Sequence, residues 1–243
     1  MPDYPHLPQE ALVELVVSNG LTTRLICTPS HLGELVTGWL FTQGVIETPD
    51  DILSLQICDF NTRVLVQIRP HEELSPTPFR ILLSSGCSGG SILETSLNTE
   101  GIFNNSRSTA TMSMLVQGIA SMYDAAFETS DSSGLHCAAI ISLTDERGIV
   151  ADSDIGRHNA VDKVIGGLLT KAPEFGRSFL VTSGRVSSDM VLKAIRAGIP
   201  IVATRRSVTS LAADLAAKTG VTIAARLTRN TPVIVGNRNR IVE

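Results

Sequence analysis

Two short runs near the end of the chain carry residue types suited to chemistry: Asp154-Ile155-Gly156-Arg157-His158-Asn159-Ala160-Val161-Asp162-Lys163 and Ser183-Gly184-Arg185-Val186-Ser187. Each sets a glycine beside an arginine where a loop is expected to turn into a helix. Glycine lets the backbone approach a ligand closely, and a helix N-terminus offers unpaired N–H groups to an anion. Arginine adds a planar fork of donors matched to phosphate oxygens. Two such corners point to a phosphorylated ligand; the other reading of each is an ordinary capped helix start with a surface arginine. Helical spacing also puts His158 one turn from Asp162, and Asn159 one turn from Lys163. A His–Asp pair so spaced serves either as a general base held in one tautomer or as a local helix salt bridge. Val161, Val164, Ile165 and Leu168 are then free to face the core, with Arg157, His158 and Lys163 directed elsewhere.

Of the four cysteines, Cys27, Cys58 and Cys137 each adjoin an apolar stretch, where cysteine behaves as a small buried hydrophobe. All three are expected to be mostly buried. Cys87 differs, because it sits in Ser84-Ser85-Gly86-Cys87-Ser88-Gly89-Gly90-Ser91, a run with little else to contribute than the thiol. The following Ile92-Leu93-Glu94 suggests a helix starting near Ser91. A thiol just before a helix start gains acidity and reactivity; the alternative is a flexible linker that happens to hold a cysteine. No C-x-x-C pair exists, so neither a zinc knuckle nor a disulfide framework is indicated, and no metal site is expected.

Charge supports a ligand of negative sign. Four lysines and ten arginines against seven acids leave residues 151–243 at +7, whereas residues 1–150 carry six arginines, no lysine and seventeen acids, a net −11. The overall −4 conceals this polarity. A basic half concentrates anions. Nucleic acid is not the expected partner, since the basic residues are scattered between apolar helices with almost no aromatics to stack on bases. No run has the length of a membrane span, and the polar, proline-bearing Met1–Glu10 resembles no signal or transit peptide, so the expected location is cytoplasmic.

The elements that position these residues are α/β, or mixed α+β. Leu12 to Val17 and Leu21 to Ile26 read as strands joined by Asn19-Gly20, a strong hairpin signal. A helix follows to about Phe41, with Ser30 as N-cap and Gly44 as stop. Strands are expected around Ile52–Ile57 and Val64–Ile68, then a boundary at Pro70 to Pro78. Residues 98–110, rich in Asn, Ser and Thr, read as a mobile connection, and a helix capped by Thr111 spans about Met112 to Phe127. Thereafter Ala138–Leu143, Ser178–Val181, Ile201–Ala203 and Thr222–Ala225 read as strands. Asn159–Leu169, Ser188–Ala197 and Ser210–Ala217 read as helices. Such alternation implies a sheet with helices on its faces and ligands at the strand ends. The expected division is a strand-rich N-terminal domain over 1–78, a cysteine loop and connection over 79–110, and a ligand-binding domain over 111–243. The apolar N-terminal hairpin is open either to pairing across a homodimer or to packing on its own domain.

The run Asp154 to Gly166, D-I-G-R-H-N-A-V-D-K-V-I-G, closely resembles the signature of the formate dehydrogenase accessory sulfurtransferases (FdhD). So do Ser183-Gly184-Arg185 with Ser187, Met190-Val191, Lys193-Ala194 and Gly198-Ile199-Pro200. His136 within Gly134-Leu135-His136-Cys137-Ala138-Ala139, Thr209-Ser210-Leu211-Ala212, Asn19-Gly20, Thr28-Pro29, Glu34-Leu35, Gly38 and Gln43-Gly44-Val45-Ile46 also fit, so nearly the whole chain is covered.

That resemblance implies a sulfurtransferase. Its loop cysteine, here matched by Cys87 alone, takes sulfur as a persulfide from a cysteine desulfurase. The sulfur passes to the molybdenum cofactor, a bis(molybdopterin guanine dinucleotide), before that cofactor enters formate dehydrogenase. The resemblance also implies a cytidine-deaminase-like C-terminal domain with a mixed sheet and flanking helices. The cofactor site would comprise Gly156, Arg157, His158, Lys163, Ser183, Gly184, Arg185 and the segment Leu227, Thr228, Arg229, Asn230, Thr231 and Pro232, and a guanine nucleotide would bind there too.

The chain departs from the family pattern in three places. Gly90 stands where many members have a second loop cysteine, which removes any internal disulfide but leaves the one thiolate a persulfide needs. Ser207-Val208-Thr209 is one residue shorter than the usual segment, and Leu227–Pro232 lacks the usual aromatic and glycine around Arg229. A non-enzymatic cofactor-binding chaperone for formate dehydrogenase is the alternative function. Deaminase chemistry is excluded, because His136 is followed by Cys137 and Ala138 rather than by H-x-E, and no P-C-x-x-C exists.

Overall fold

The computed structural model describes residues 7–70, 81–83, 91–93, 102–129, 134–144, 148–171 and 173–243. Cys87, the expected transfer residue, lies outside the described residues.

The N-terminal part is built on a four-stranded sheet. β1 (Ala11–Val17) turns at Ser18-Asn19-Gly20 into β2 (Thr22–Cys27), pairing antiparallel with Val16 opposite Thr22. Gly20 takes φ +89°, and the Asn19 side chain accepts the Leu21 N–H at 3.2 Å, so both turn residues do what the hairpin requires. β4 (Arg63–Ile68) lies parallel to β1 and antiparallel to β3 (Ile52–Cys58), giving the order β2-β1-β4-β3. Strict alternation puts Val13, Leu15, Val17, Val64 and Val66 on one face. That face is covered by Leu32, Leu35, Val36, Trp39 and Leu40 of α1 (Leu32–Thr42). The cap of α1 is not Ser30. His31, at φ 50°, precedes the first helical residue, and the Ser30 hydroxyl is taken by Lys163 instead.

The larger part centres on a six-stranded mixed sheet. Its strands are β8 (His136–Ser142), β9 (Ile149–Asp154), β10 (Ser178–Thr182), β11 (Ile201–Thr204), β12 (Thr222–Ala225) and β13 (Val233–Gly236). Their order is β13-β12-β11-β10-β8-β9, with β10, β11 and β12 parallel and the other pairings antiparallel. On one face, Ala138, Ile140, Leu180, Val202 and Ile223 pack under α3 (Arg157–Leu169), α4 (Ser188–Ala197) and α5 (Ser210–Thr219). On the other, Phe179, Val181, Ile201, Ala203 and Ala224 pack against α2 (Met112–Thr129). Burial on both faces explains why β10, β11 and β12 are apolar or small without alternation. The chain is thus a mixed α/β protein with a smaller strand-rich N-terminal part.

Several expectations are corrected. Residues Ser91–Leu93 form a short strand, β6, antiparallel to β5 (Ile81–Leu83), and not a helix start. The helix-dipole argument for an acidic Cys87 therefore lapses. Residues 102–110 of the supposed mobile connection are tied down. Buried Arg240 donates to the carbonyls of Asn104 and Ser106, the Ser106 and Ser108 hydroxyls donate to Gly176, and β7 (Ala110–Thr111) pairs with β14 (Ile241–Val242). Strands β9 and β13, unread in the sequence, are outer members of the large sheet; two aspartates break the apolar signal of β9, and β13 is a run of only four residues ending in glycine. Cys27 and Cys137 are buried, but Cys58 is only half-buried, because it ends β3 at the sheet edge.

The two parts meet through α1 and α3. A Cβ on Gly38 would overlap the Asp162 carbonyl, and one on Gly166 would overlap the Glu34 carbonyl, so the helices cross with backbones in contact. Sandwiched between α1 and the sheet, α3 is buried on nearly every side.

Candidate anion-binding cleft

All three parallel strands end at one edge of the large sheet, and each continues into polar residues: Ser183-Gly184-Arg185 after β10, Arg205-Arg206 after β11, and Arg226 to Arg229 after β12. The start of β8 at His136 and the end of β9 at Asp154 lie opposite each other at that same edge. Carboxyl ends of parallel strands are where open α/β sheets bind ligands. Here the N-terminal part closes over them with Leu12, Arg24 and Ile26 of its sheet, with Trp39 and Thr42 of α1 and with Gln43 just past its end. The resulting cleft has a volume of about 1120 Å³.

Among the described residues seven arginines line it: Arg24, Arg157, Arg185, Arg205, Arg206, Arg226 and Arg229. The carboxylates on its wall among the described residues are Glu10, Asp162 and Asp189, and two of these are already matched. Lys193 Nζ donates to both oxygens of Asp162 at 2.8 Å, and the Thr42 hydroxyl donates to one of them at 2.8 Å. Asp189 lies 2.7 Å from His158 Nε2 in an ion pair and accepts from the Ser187 hydroxyl. Burial alone would raise the Asp189 carboxyl, but the adjoining His158, with Ser187 and Lys193, holds it well below the ordinary carboxylate range. The cleft therefore offers guanidinium groups in excess to an anion.

Arg157 shows how the sequence builds the site. It opens α3, and its side chain runs past Gly184, where a Cβ would stand 2.7 Å from Arg157 Cδ. One glycine–arginine corner thus makes room for the arginine of the other. Arg157 is 7% exposed, and its Nε has no partner among the described residues; Arg226 Nε is buried and unpartnered in the same way. A buried donor left open is unfavourable unless something completes it. Arg226 also takes φ 57°, unusual for a residue with a Cβ, at the end of β12.

His158 does not pair with Asp162. Although one helical turn apart, Asp162 points to Lys193 and Thr42, and His158 reaches across to Asp189 at the start of α4. Lys163 does not point away from the core either. Fully buried, it pairs with Asp154 at 2.8 Å and donates to the carbonyls of Thr28 and Ser153 and to the Ser30 hydroxyl. Asp154 in turn accepts from the N–H groups of Thr28 and Gly156 and from the Asn159 amide, which also reaches the Ile26 carbonyl. These residues of the first run clamp the chain at 26–30 onto α3.

Of the residues expected to bind the ligand, Arg157, His158, Ser183, Gly184, Arg185 and Arg229 lie on the cleft wall. Gly156, Lys163, Leu227, Thr228, Asn230, Thr231 and Pro232 stand off it; Leu227 is buried in the core behind. Sequence reasoning missed Arg24, Arg205, Arg206, Arg226 and Asp189. The double arginine after the apolar run Ile201–Thr204 was a usable signal, since it repeats the position of Arg185 after β10.

The two buried cysteines are chemically quiet. Burial, then the Asp154 charge, pushes the Cys27 thiol up to about 12, and burial with the Asp152 charge pushes Cys137 up to about 11. Among the described residues no group of His, Cys, Asp and Glu is placed to hold a metal ion, and no helix is long and apolar enough to cross a membrane.

Fold and cleft together define a mixed α/β protein presenting a basic site at the carboxyl edge of parallel strands. The model of the FdhD/NarQ family matches residues 8–242, and the chain belongs to that family. Similar proteins named sulfur carrier protein FdhD occur in Sulfurisphaera tokodaii and Geobacillus kaustophilus. The first is 32% identical over 88% of this chain and 82% of its own length; the second is 30% identical over 90% and 83%. A relative of the same name from Mycolicibacterium paratuberculosis is 31% identical over 96% of this chain and 90% of its own. The fold matches a crystal structure from Desulfotalea psychrophila, described as that of a formate dehydrogenase accessory protein. The match has a TM-score of 0.71 at 23% identity and covers 96% of this chain and 89% of that one.

Proposed function

We propose that this chain is a sulfur carrier that moves sulfane sulfur, as a Cys87 persulfide, from a cysteine desulfurase to the molybdenum cofactor destined for formate dehydrogenase. The observation that carries this reading is the arginine-lined cleft with buried, unpartnered guanidinium nitrogens, in a chain of the FdhD/NarQ family. Bis(molybdopterin guanine dinucleotide) enters the reading as bound substrate. Its diphosphates suit the arginines at the ends of β10, β11 and β12, and the volume accommodates a large ligand. Bound there, it supplies the acceptor for sulfur.

Cys87 is assigned the transfer partly by exclusion. The nucleophile in sulfur exchange is a thiolate. Cys27 and Cys137 remain thiols at neutral pH. Attack of the Cys87 thiolate on the sulfane sulfur of a desulfurase persulfide breaks the donor S–S bond. The donor leaves as a thiolate, and Cys87 keeps the terminal sulfur.

Incubation with a cysteine desulfurase and cysteine, followed by intact mass and peptide mapping, tests the assignment. One added sulfur on the Cys87 peptide, absent in Cys87→Ala, is expected. Label on a Cys27, Cys58 or Cys137 peptide would overturn it. An unlabelled chain that still binds guanine nucleotide would instead be a non-enzymatic cofactor chaperone.

A further inference from the structure

Among the described residues two histidines line the cleft, and their partners set them apart. His158 Nε2 stands 2.7 Å from the Asp189 carboxylate, in an ion pair. His136, the first residue of β8, lies with Nδ1 3.3 Å from the Ser183 hydroxyl, which in turn accepts the Cys137 N–H at 2.9 Å. A hydroxyl has one proton and two lone pairs. Tyr123 of α2 also bonds the Ser183 hydroxyl, so Ser183 can donate to Nδ1 of a neutral ring, or accept from Nδ1–H of a protonated one with its own proton turned to the Tyr123 oxygen. Around the ring stand Arg157 and His158 of α3 and Arg206 beyond β11, and Arg205 stacks over Tyr123 of α2. The nearby carboxylate, Asp154 at the end of β9, is already matched by Lys163. Burial first, then the charges of Arg157, His158 and Arg206, push His136 below the ordinary histidine value.

We propose that His136 is an anion ligand switched on by its own ligand: a phosphate-bearing anion in the cleft brings a proton from solvent onto His136, which then binds the anion as a cation beside Arg157 and Arg206. The proton adds at Nδ1, the Ser183 hydroxyl turns from donor to acceptor, and Nε2–H is left for the anion. The driving force is the anion's own charge, which cancels the field of the arginines that kept the ring neutral. The inference rests on the reading that the cleft takes a phosphate-bearing ligand, and is independent of sulfur chemistry at Cys87.

Calorimetric titration of the full chain with GDP, in two buffers of different ionisation enthalpy near neutral pH, counts the protons exchanged. Net uptake of up to one proton per GDP is expected; the terminal phosphate of GDP, with a second pKa of about 6, contributes only release. His136→Gln should abolish the uptake and weaken GDP by about tenfold at roughly pH 6.5, where one charge-assisted hydrogen bond is lost. The gap should close as pH rises past the point where the bound ring loses its proton. Uptake that persists in His136→Gln, or is absent when wild type binds GDP, overturns the proposal. The imidazole proton resonance of wild-type His136 gives a second reading that needs no folded variant. Inorganic diphosphate should raise its titration midpoint, and an unmoved midpoint with diphosphate bound overturns the proposal. If GDP fails to bind while diphosphate raises the midpoint, the switch stands and the nucleotide reading falls. If neither binds, both fall.

Discussion

At the scale of single residues, the arginines of the cleft fall into two kinds. Arg157 is buried against Gly184 with one nitrogen open, whereas Arg185, Arg205, Arg206 and Arg229 are exposed. Exposed charges attract from a distance and are screened by salt; a buried donor acts at contact range and is screened much less. Arg185→Ala should weaken GDP by about tenfold, the worth of one charge-assisted hydrogen bond, with the loss shrinking at high salt. Arg157→Ala should cost as much or more and keep most of its effect in salt. Calorimetry on both variants at two salt concentrations distinguishes them. Equal affinity of Arg185→Ala and wild type would leave Arg185 a surface residue of the α4 approach.

At the scale of elements, the crossing of α1 and α3 decides whether the cleft has two walls. Gly38 and Gly166 let the helix backbones touch, which places Thr42 within reach of Asp162 and Lys193 on the cleft floor. Any Cβ at Gly38 meets backbone, which cannot rotate aside. Gly38→Ala should therefore destabilise the protein by at least about 2 kcal/mol, despite the usual gain of alanine over glycine in a helix. Urea denaturation measures this. A variant as stable as wild type would mean that the helices separate easily and that the crossing does not hold the N-terminal sheet in place.

At the scale of the whole molecule, buried charge is what fastens the N-terminal part to the sheet domain. Lys163 and Asp154 are both fully buried, and each also bonds the stretch between β2 and α1, Asp154 through the Thr28 N–H and Lys163 through the Thr28 carbonyl and the Ser30 hydroxyl. Removing one member leaves the other charge buried and unmatched, which typically costs about 3–5 kcal/mol. Lys163→Met should lose stability of that order in denaturant unfolding. It should also weaken GDP, although Lys163 is not on the cleft wall, because one wall of the cleft belongs to the N-terminal part. A Lys163→Met protein that is much less stable but binds GDP unchanged would show that the clamp does not shape the site.

What local sequence dictates was legible. The Asn19-Gly20 hairpin, the Thr111 cap of α2, whose hydroxyl accepts the Met114 N–H, and the strands and helices from β10 to β12 all follow from turn chemistry and apolar periodicity. The glycine–arginine corners and the polarity of charge also needed no fold to be seen. Tertiary structure alone assigned roles within the Asp154–Lys163 run. Helical spacing brings Asp162 near His158, yet Asp189, 31 residues further along, takes the histidine, because α4 starts beside α3 at the same sheet edge. Asn159 and Lys163 read as a local pair, and Lys163 as ligand-facing, but both are turned inward, since α1 covers the face of α3 that an isolated helix would give to water. A buried ion pair and a binding site ask for the same residue types. Only the packing around each side chain decides which of the two it becomes.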